Sequence, residues 1–405
     1  MKLAVSLSLL AACSFPTPSE QYACRTTEDC TSGRVCTQGF CVIGSAPDID
    51  APMQVDTTPA IDCTTFPARH FDACMIPPPT GDFSLMTPGI YTLDATTGSV
   101  LAPGGSSSLP ATALVASGRV VSVSSVTIGP GVTLRVLGSQ PLILASWGTI
   151  EVAGTIDASS TSPTSLGAGA NPAGCAAHAA VKGQDAGGGA GGGGGGGFQA
   201  PGGRGGFGDI GNGGLGGTPM AAPLLLGGCS GAIGGTGSSA PGDGGDGGGA
   251  VQLTARLAIS IAGTGKIHAG GSGGFPAGPS GNGGGGGAGG SGGMVGLEAP
   301  MLDIAGGGVL AANGGAGGEG GGNTGTGGTG QDGQPSAVRA QCPDTGSGGN
   351  GGLGSGGLVL AGGVGGNDTS GGGGAGGSAG FITLKATTRN VDVLAIVSPA
   401  ATVIP

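Results

Sequence analysis

The sequence predicts an all-β fold: a parallel β-helix (solenoid) with Gly-rich inserts, polyglycine II-like or disordered, preceded by a small disulfide-rich module. Three observations carry this expectation. Short β-type runs recur in groups of three. Glycine, 102 of 405 residues, keeps a three-residue register over long stretches. Four cysteines fall within eighteen residues near the start.

At the start, Lys2 precedes the apolar run 3–10, which ends in Leu10-Ala11-Ala12-Cys13. This order resembles the lipobox of bacterial lipoprotein signal peptides, and it sets the expected boundaries: signal peptide 1–12 and lipidated tether 13–23. The resemblance implies that Cys13 carries the lipid. Ser14, rather than Asp, in the next position implies the outer membrane. The apolar run is too short to span a bilayer, so the expected membrane contact is an N-terminal lipid anchor of several acyl chains.

An envelope location makes the other nine cysteines disulfide candidates. Cys24, Cys30, Cys36 and Cys41 define a cysteine-rich module at 24–41 with spacing C-x5-C-x5-C-x4-C. That spacing resembles the small module near the start of many glycine-rich bacterial surface lipoproteins. Four cysteines allow three pairings, and the spacing does not choose among them. Cys63 and Cys74 suit a local third bridge. Cys175, Cys229 and Cys342 form an odd set, of which two are expected to staple Gly-rich loops. Residues 44–62 are rich in Pro and Asp with no apolar period, so 44–80 reads as a linker carrying a Cys pair.

From 81 to 405 the character is β. Residues 142–145, 150–152 and 155–158 form one triplet of alternating runs. The triplets 251–255, 259–261, 266–270 and 295–299, 302–304, 309–312 repeat it, and 382–386 with 391–393 begins a fourth. Segment 119–136 reads as a first full turn, and the uncharged closing stretch as a last covering strand. Between triplets lie Gly-rich inserts at 159–249, 270–293 and 313–379. Gly recurs at 202, 205, 208, 211, 214 and 217, and again at 284, 287, 290 and 293. Three residues make one turn of a polyproline II-type helix, and a glycine edge lets backbones approach closely. Gly/Ser tracts also behave as flexible coil, so both readings stay open.

Composition excludes several classes. Only 9% of residues are charged, against about 25% in ordinary globular domains. A net charge of −10 with no basic stripe excludes a nucleic-acid partner. The glycine runs are too short and too poor in proline for a collagen triple helix.

A β-helix is also a scaffold for polysaccharide lyases and hydrolases, which need converging carboxylates or an acidic metal site with a base. Asp157 and Asp303 fall near equivalent strands, with Lys266 and His268 between them. Strand alternation alone turns these residues outward, so no catalytic residue is assigned. Cys175, His178, Cys229 and Cys342 have the atoms for zinc, but the Cys-x2-His spacing is weak and the setting is oxidising. No metal and no cofactor is expected. Neither the calcium-repeat fragment at 205–210 nor Asp243 and Asp246 completes a nonapeptide. His70, His178 and His268 face no nucleophile pattern.

The whole pattern resembles glycine-rich bacterial surface lipoproteins with an N-terminal cysteine-rich module and a β-helix-like body. The resemblance implies a structural, adhesive or matrix-contact protein that is not an enzyme, with polysaccharide or extracellular matrix as a partner. The alternative is a carbohydrate-active β-helix enzyme.

Overall fold

The computed structural model describes residues 24–31, 34–37, 39–43, 63–79, 81–108, 112–161, 165–221, 224–279, 283–323 and 327–405. Cys13, segments 1–12 and 13–23, and the linker residues 44–62 lie outside them. The chain divides into two units, 1–61 and 62–405.

In the first unit, β1 (Arg34–Thr37) and β2 (Phe40–Ile43) form an antiparallel hairpin after a 3-10 turn at Thr27–Asp29. The Asp29 carboxylate accepts the amides of Arg25 and Thr26 at 2.8 and 2.9 Å, which holds it below the usual carboxylate range. Disulfides Cys24–Cys36 and Cys30–Cys41 cross-link turn and hairpin. So short a segment has too little apolar surface for a core, and the bridges do that work.

The second unit holds three larger sheets. The six-stranded sheet has β21 (Thr388–Val391), β18 (Met301–Ile304), β15 (Ala258–Ile261), β12 (Thr149–Val152), β9 (Val126–Ile128) and β3 (Phe83–Leu85). The seven-stranded sheet runs β23 (Thr402–Ile404), β20 (Phe381–Lys385), β17 (Met294–Glu298), β14 (Ala250–Ala255), β11 (Leu142–Ser146), β8 (Gly118–Val123), β7 (Thr112–Val115). The eight-stranded sheet runs β22 (Ile396–Ser398), β19 (Val309–Ala311), β16 (Lys266–His268), β13 (Thr155–Asp157), β10 (Val132–Leu137), β4 (Gly89–Asp94). It is completed by β5 (Ser99–Ala102) and β6 (Gly105–Ser108).

These sheets correct the expected fold. The chain does not form a single parallel β-helix: its strands are divided among separate sheets, parallel and mixed, and none closes on itself. Hairpins β4–β5–β6 and β7–β8 are antiparallel, which no uniform parallel winding allows. Equal spacing of the β runs predicted that copies would pair, and they do, as in Leu144↔Leu253↔Leu297↔Leu384. Pairing between copies does not dictate closure.

Alternation sets the core. Val132, Leu134 and Val136 on β10, Ile150 and Val152 on β12, and Ile259 and Ile261 on β15 are all buried in one cluster. Each such side chain contributes about 1.5–3 kcal/mol by leaving water. The central strands of the seven-stranded sheet, β11, β14 and β17, are buried on both faces. Their second face packs Ile143 and Ala145 against Phe66, Phe71 and Ile76, so residues 63–79 are a strap on the sheet rather than the end of a linker. Cys63–Cys74 closes the strap into a loop.

The described residues of the Gly-rich segments form an ordered, hydrogen-bonded layer. Along 191–197, consecutive amides donate in turn to different neighbouring segments. Gly192 bonds to Gly206 O, Gly193 to Gly286 O and Gly194 to Val181 O, at 2.9–3.0 Å. Gly195 and Gly196 then return to the first two neighbours, at Gly203 O and Gly289 O. The carbonyls of Gly192, Gly193 and Gly194 accept from Gly214, Ala375 and Ala232 on three further segments. The period of three in bonding is the period of three in sequence. Interior positions need glycine because the gap is one backbone wide: a Cβ on Gly195 would overlap the Gly376 carbonyl oxygen.

Candidate functional site

Three places gather chemistry. The first is on the outer face of the eight-stranded sheet, where register aligns Arg135, Asp157 and His268 on β10, β13 and β16. The Arg135 guanidinium pairs with Asp157 Oδ2 at 2.9 Å and donates to Ser159 Oγ and Ser165 Oγ at 3.0 and 3.1 Å. Ser159 donates its hydroxyl to Asp157 Oδ1 at 2.6 Å. His268 Nδ1 lies 3.7 Å from the same carboxylate, and burial holds its pKa below the ordinary value against the pull of Asp157. These contacts tie the corner where the chain leaves β13 for the first Gly-rich segment.

Of the candidates read from sequence, Asp157, Lys266 and His268 are thus brought together on adjacent strands. Asp303 is not. It lies on β18 in the six-stranded sheet and accepts from Asn390 Nδ2 at 2.6 Å. The two aspartates therefore do not form the carboxylate pair that glycoside hydrolysis uses.

The second place is under the strap. Gln252 and Glu298, on β14 and β17, point from the seven-stranded sheet into the strap interface. Glu298 Oε2 accepts the Arg69 amide at 3.0 Å and Gln252 Nε2 at 3.0 Å. Gln252 also donates to Thr254 Oγ1 at 2.8 Å and meets His70 Nδ1 through its Oε1. Burial pushes the Glu298 carboxyl up to about 7, with Arg69 and Lys385 pulling the other way. A cavity of about 440 Å³ opens beside it, lined by Thr65, Pro67, Pro300 and Lys385. Sequence reading missed this network. The available signal was Gln252 and Glu298 themselves, two long polar side chains in otherwise apolar runs.

The cysteines settle the metal set. Cys175 and Cys229 form a disulfide across the Gly-rich layer, and His178 Nδ1 pairs with Thr218 Oγ1 at 2.9 Å. Cys342 is the free thiol among the described residues. It sits 3.4 Å from Gly328 O, and burial raises its pKa. Asp246 accepts from Asn171 Nδ2 at 2.8 Å, so it serves the fold. Buried Glu319 gathers the amides of Gly328 and Gly346 at 2.8 and 2.9 Å, closing a loop edge.

The third place is the rim of the Gly-rich layer. There every third residue carries a side chain and faces solvent: Arg204, Phe207 and Ile210 on one segment, Asn212, Leu215 and Thr218 on the next. Val181 and Gln184 follow, and Val364 and Asn367 stand on the other side.

No family model matches this chain, and no match appears among curated proteins or solved structures. Among the described residues, no helix is long and apolar enough to cross a membrane.

Proposed function

We propose that this chain is a lipid-anchored protein of a bacterial outer membrane or cell surface, with a structural, adhesive or matrix-contact role and no catalysis. The observation that carries the reading is the Gly-rich layer itself. Roughly half of the body is spent on backbone packing that leaves a broad rim of mostly apolar and amide side chains, such as Leu215, Val364, Asn212 and Asn367. A face of that kind acts through many weak, repeated contacts rather than through one cleft. The lipobox-like Leu10-Ala11-Ala12-Cys13 supports an anchor at Cys13, and four disulfides suit an oxidising compartment.

The test is fractionation of bacteria expressing the full chain or its Cys13→Ala variant, with mass analysis of the mature N-terminus. The expected result is wild type in the membrane fraction, beginning at a diacylglyceryl-modified Cys13, and the variant uncleaved and without lipid. Wild type recovered without lipid, with residues 1–12 retained, overturns the reading.

A further inference from the structure

The rim is built in two rows that cross the segments. Backbone bonds set the level of each segment against its neighbour: Gly363 N to Leu353 O, Gly365 N to Arg204 O, Gly205 N to Gly214 O and Val181 N to Leu215 O. These bonds align Leu353, Val364, Arg204, Leu215 and Val181 across five neighbouring segments. One turn along, about 9 Å at three residues per polyproline II turn, lie Asn350, Asn367, Phe207, Asn212 and Gln184. Side-chain bonds confirm the second row. Phe207 N donates to Asn367 Oδ1 at 2.8 Å, and Asn212 Nδ2 to Gln184 Oε1 at 2.6 Å.

Two further properties narrow what this surface fits. The amides of Leu353, Val364, Arg204 and Leu215 donate to no acceptor among the described residues. The apolar row therefore carries hydrogen-bond donors between its side chains. Charge is nearly absent from both rows. Within the rows the one cation, Arg204, lies over the Phe207 ring at 4.6 Å, and at the two ends stand Lys182, paired with Asp185, and Arg339, bonded to the Leu353 carbonyl.

We propose that this rim binds a neutral polysaccharide chain lying across the segments, an inference that deepens the surface role above and rests on it. A pyranose offers an apolar ring face and hydroxyl acceptors, which match an apolar row with free amides beside an amide row. Polyanions and charged lipid headgroups find no cationic cluster here. A second copy cannot extend the layer across the rim, because the outward positions carry side chains where the interior packing tolerates no Cβ. Affinity comes from repetition along the polymer rather than from one deep subsite.

The test is co-sedimentation of the full-length protein with microcrystalline cellulose and with chitin, beside the variants Leu215→Asp plus Val364→Asp and, away from the rim, Leu394→Asp. Leu215, Val364 and Leu394 are 58, 67 and 73% exposed, so thermal unfolding should match wild type in both variants. The expected result is retention of wild type and L394D on at least one solid, with at least tenfold weaker retention of the rim variant. Absence of retention on both solids, or equal retention of the rim variant, overturns the proposal. It is also overturned if the rim variant instead loses self-association on gel filtration or binding to phosphatidylcholine vesicles. None of these outcomes alters the Cys13 fractionation result, so the two readings fail separately.

Discussion

Arg69 donates its backbone N–H to the carboxylate of Glu298 at 3.0 Å, although 229 residues separate them. The bond fastens the disulfide-closed strap to the seven-stranded sheet. It also buries a carboxyl group where water cannot stabilise its charge, which is why that group resists ionisation.

Glu298 should make the fold less stable as pH rises. Its folded value, about 7, lies above the ordinary 4.5, so the folded state holds the extra proton between those values. Stability is full below about 4.5, falls through the window, and levels off above 7. At 1.36 kcal/mol per unit the loss is at most about 3 kcal/mol. Glu298→Gln keeps both acceptor contacts at its oxygen and should flatten the dependence. Urea midpoints at pH 5 and pH 8 measure it; equal slopes for wild type and E298Q contradict the assignment.

His268 acts in the opposite sense. Its folded pKa lies below 6.5, so the unfolded chain takes up the proton first as pH falls. Stability from this residue is present above 6.5 and is lost below it. His268→Gln should remove the acid-side loss while leaving the strap network untouched, a separation read from the same urea series. Replacing its neighbour, Asp157→Asn, deprives the largely buried Arg135 guanidinium of its counter-charge and should cost about 2 kcal/mol by thermal unfolding.

Interior and rim glycines should differ sharply. Gly195→Ala drives a Cβ into the Gly376 carbonyl and should destabilise by 3 kcal/mol or more, on the order of severe overpacking. Gly187 has nothing within 4 Å of an added Cβ, so Gly187→Ala should stay within about 0.5 kcal/mol of wild type. Comparable losses in both would show that the layer is not the packing determinant described.

The two body disulfides should rank by loop length. Cys175 and Cys229 are 54 residues apart and Cys63 and Cys74 eleven. The chain-entropy estimate is about 4 kcal/mol for the first and about 3 for the second. Paired Cys→Ala variants compared by denaturant unfolding give the order directly; a larger loss for the short loop reverses the expectation.

Amide exchange should carry the three-residue period. Gly193, Gly194 and Gly196 donate to neighbouring segments and should be protected, whereas Arg204 and Leu215 should exchange at once. Gly203 and Gly214, one residue before each of them, are bonded and should be slow. Uniform fast exchange across 191–217 would mean that the layer does not form.

Much of the strand pattern is legible from residues alone. Alternation places β10, β12 and β15 where the β-type runs stand, because an outward Thr, Glu or Ser between inward Val, Ile or Leu defines a face locally. The nearness of Cys63 and Cys74 is equally local. The His–Asp–Arg ladder was partly visible, since Asp157 and His268 sit at matching positions of their triplets. Glu298 was not, because nothing nearby in sequence says that residues 63–79 will cover it.

The amino-acid sequence by itself determined the spacing of the strand runs and the three-residue step of glycine, both set by how one residue follows the next. It left open whether the Gly tracts are ordered, since a residue without a side chain has no local preference for any neighbour. Only the tertiary structure decided that, by giving the interior amides carbonyls on neighbouring segments. It also divided the strands into separate sheets with antiparallel edges, paired Cys175 with Cys229, and sorted glycine positions into interior and rim. These outcomes depend on contacts between segments far apart in the chain, where hydrogen bonding and burial, not periodicity, choose the partner.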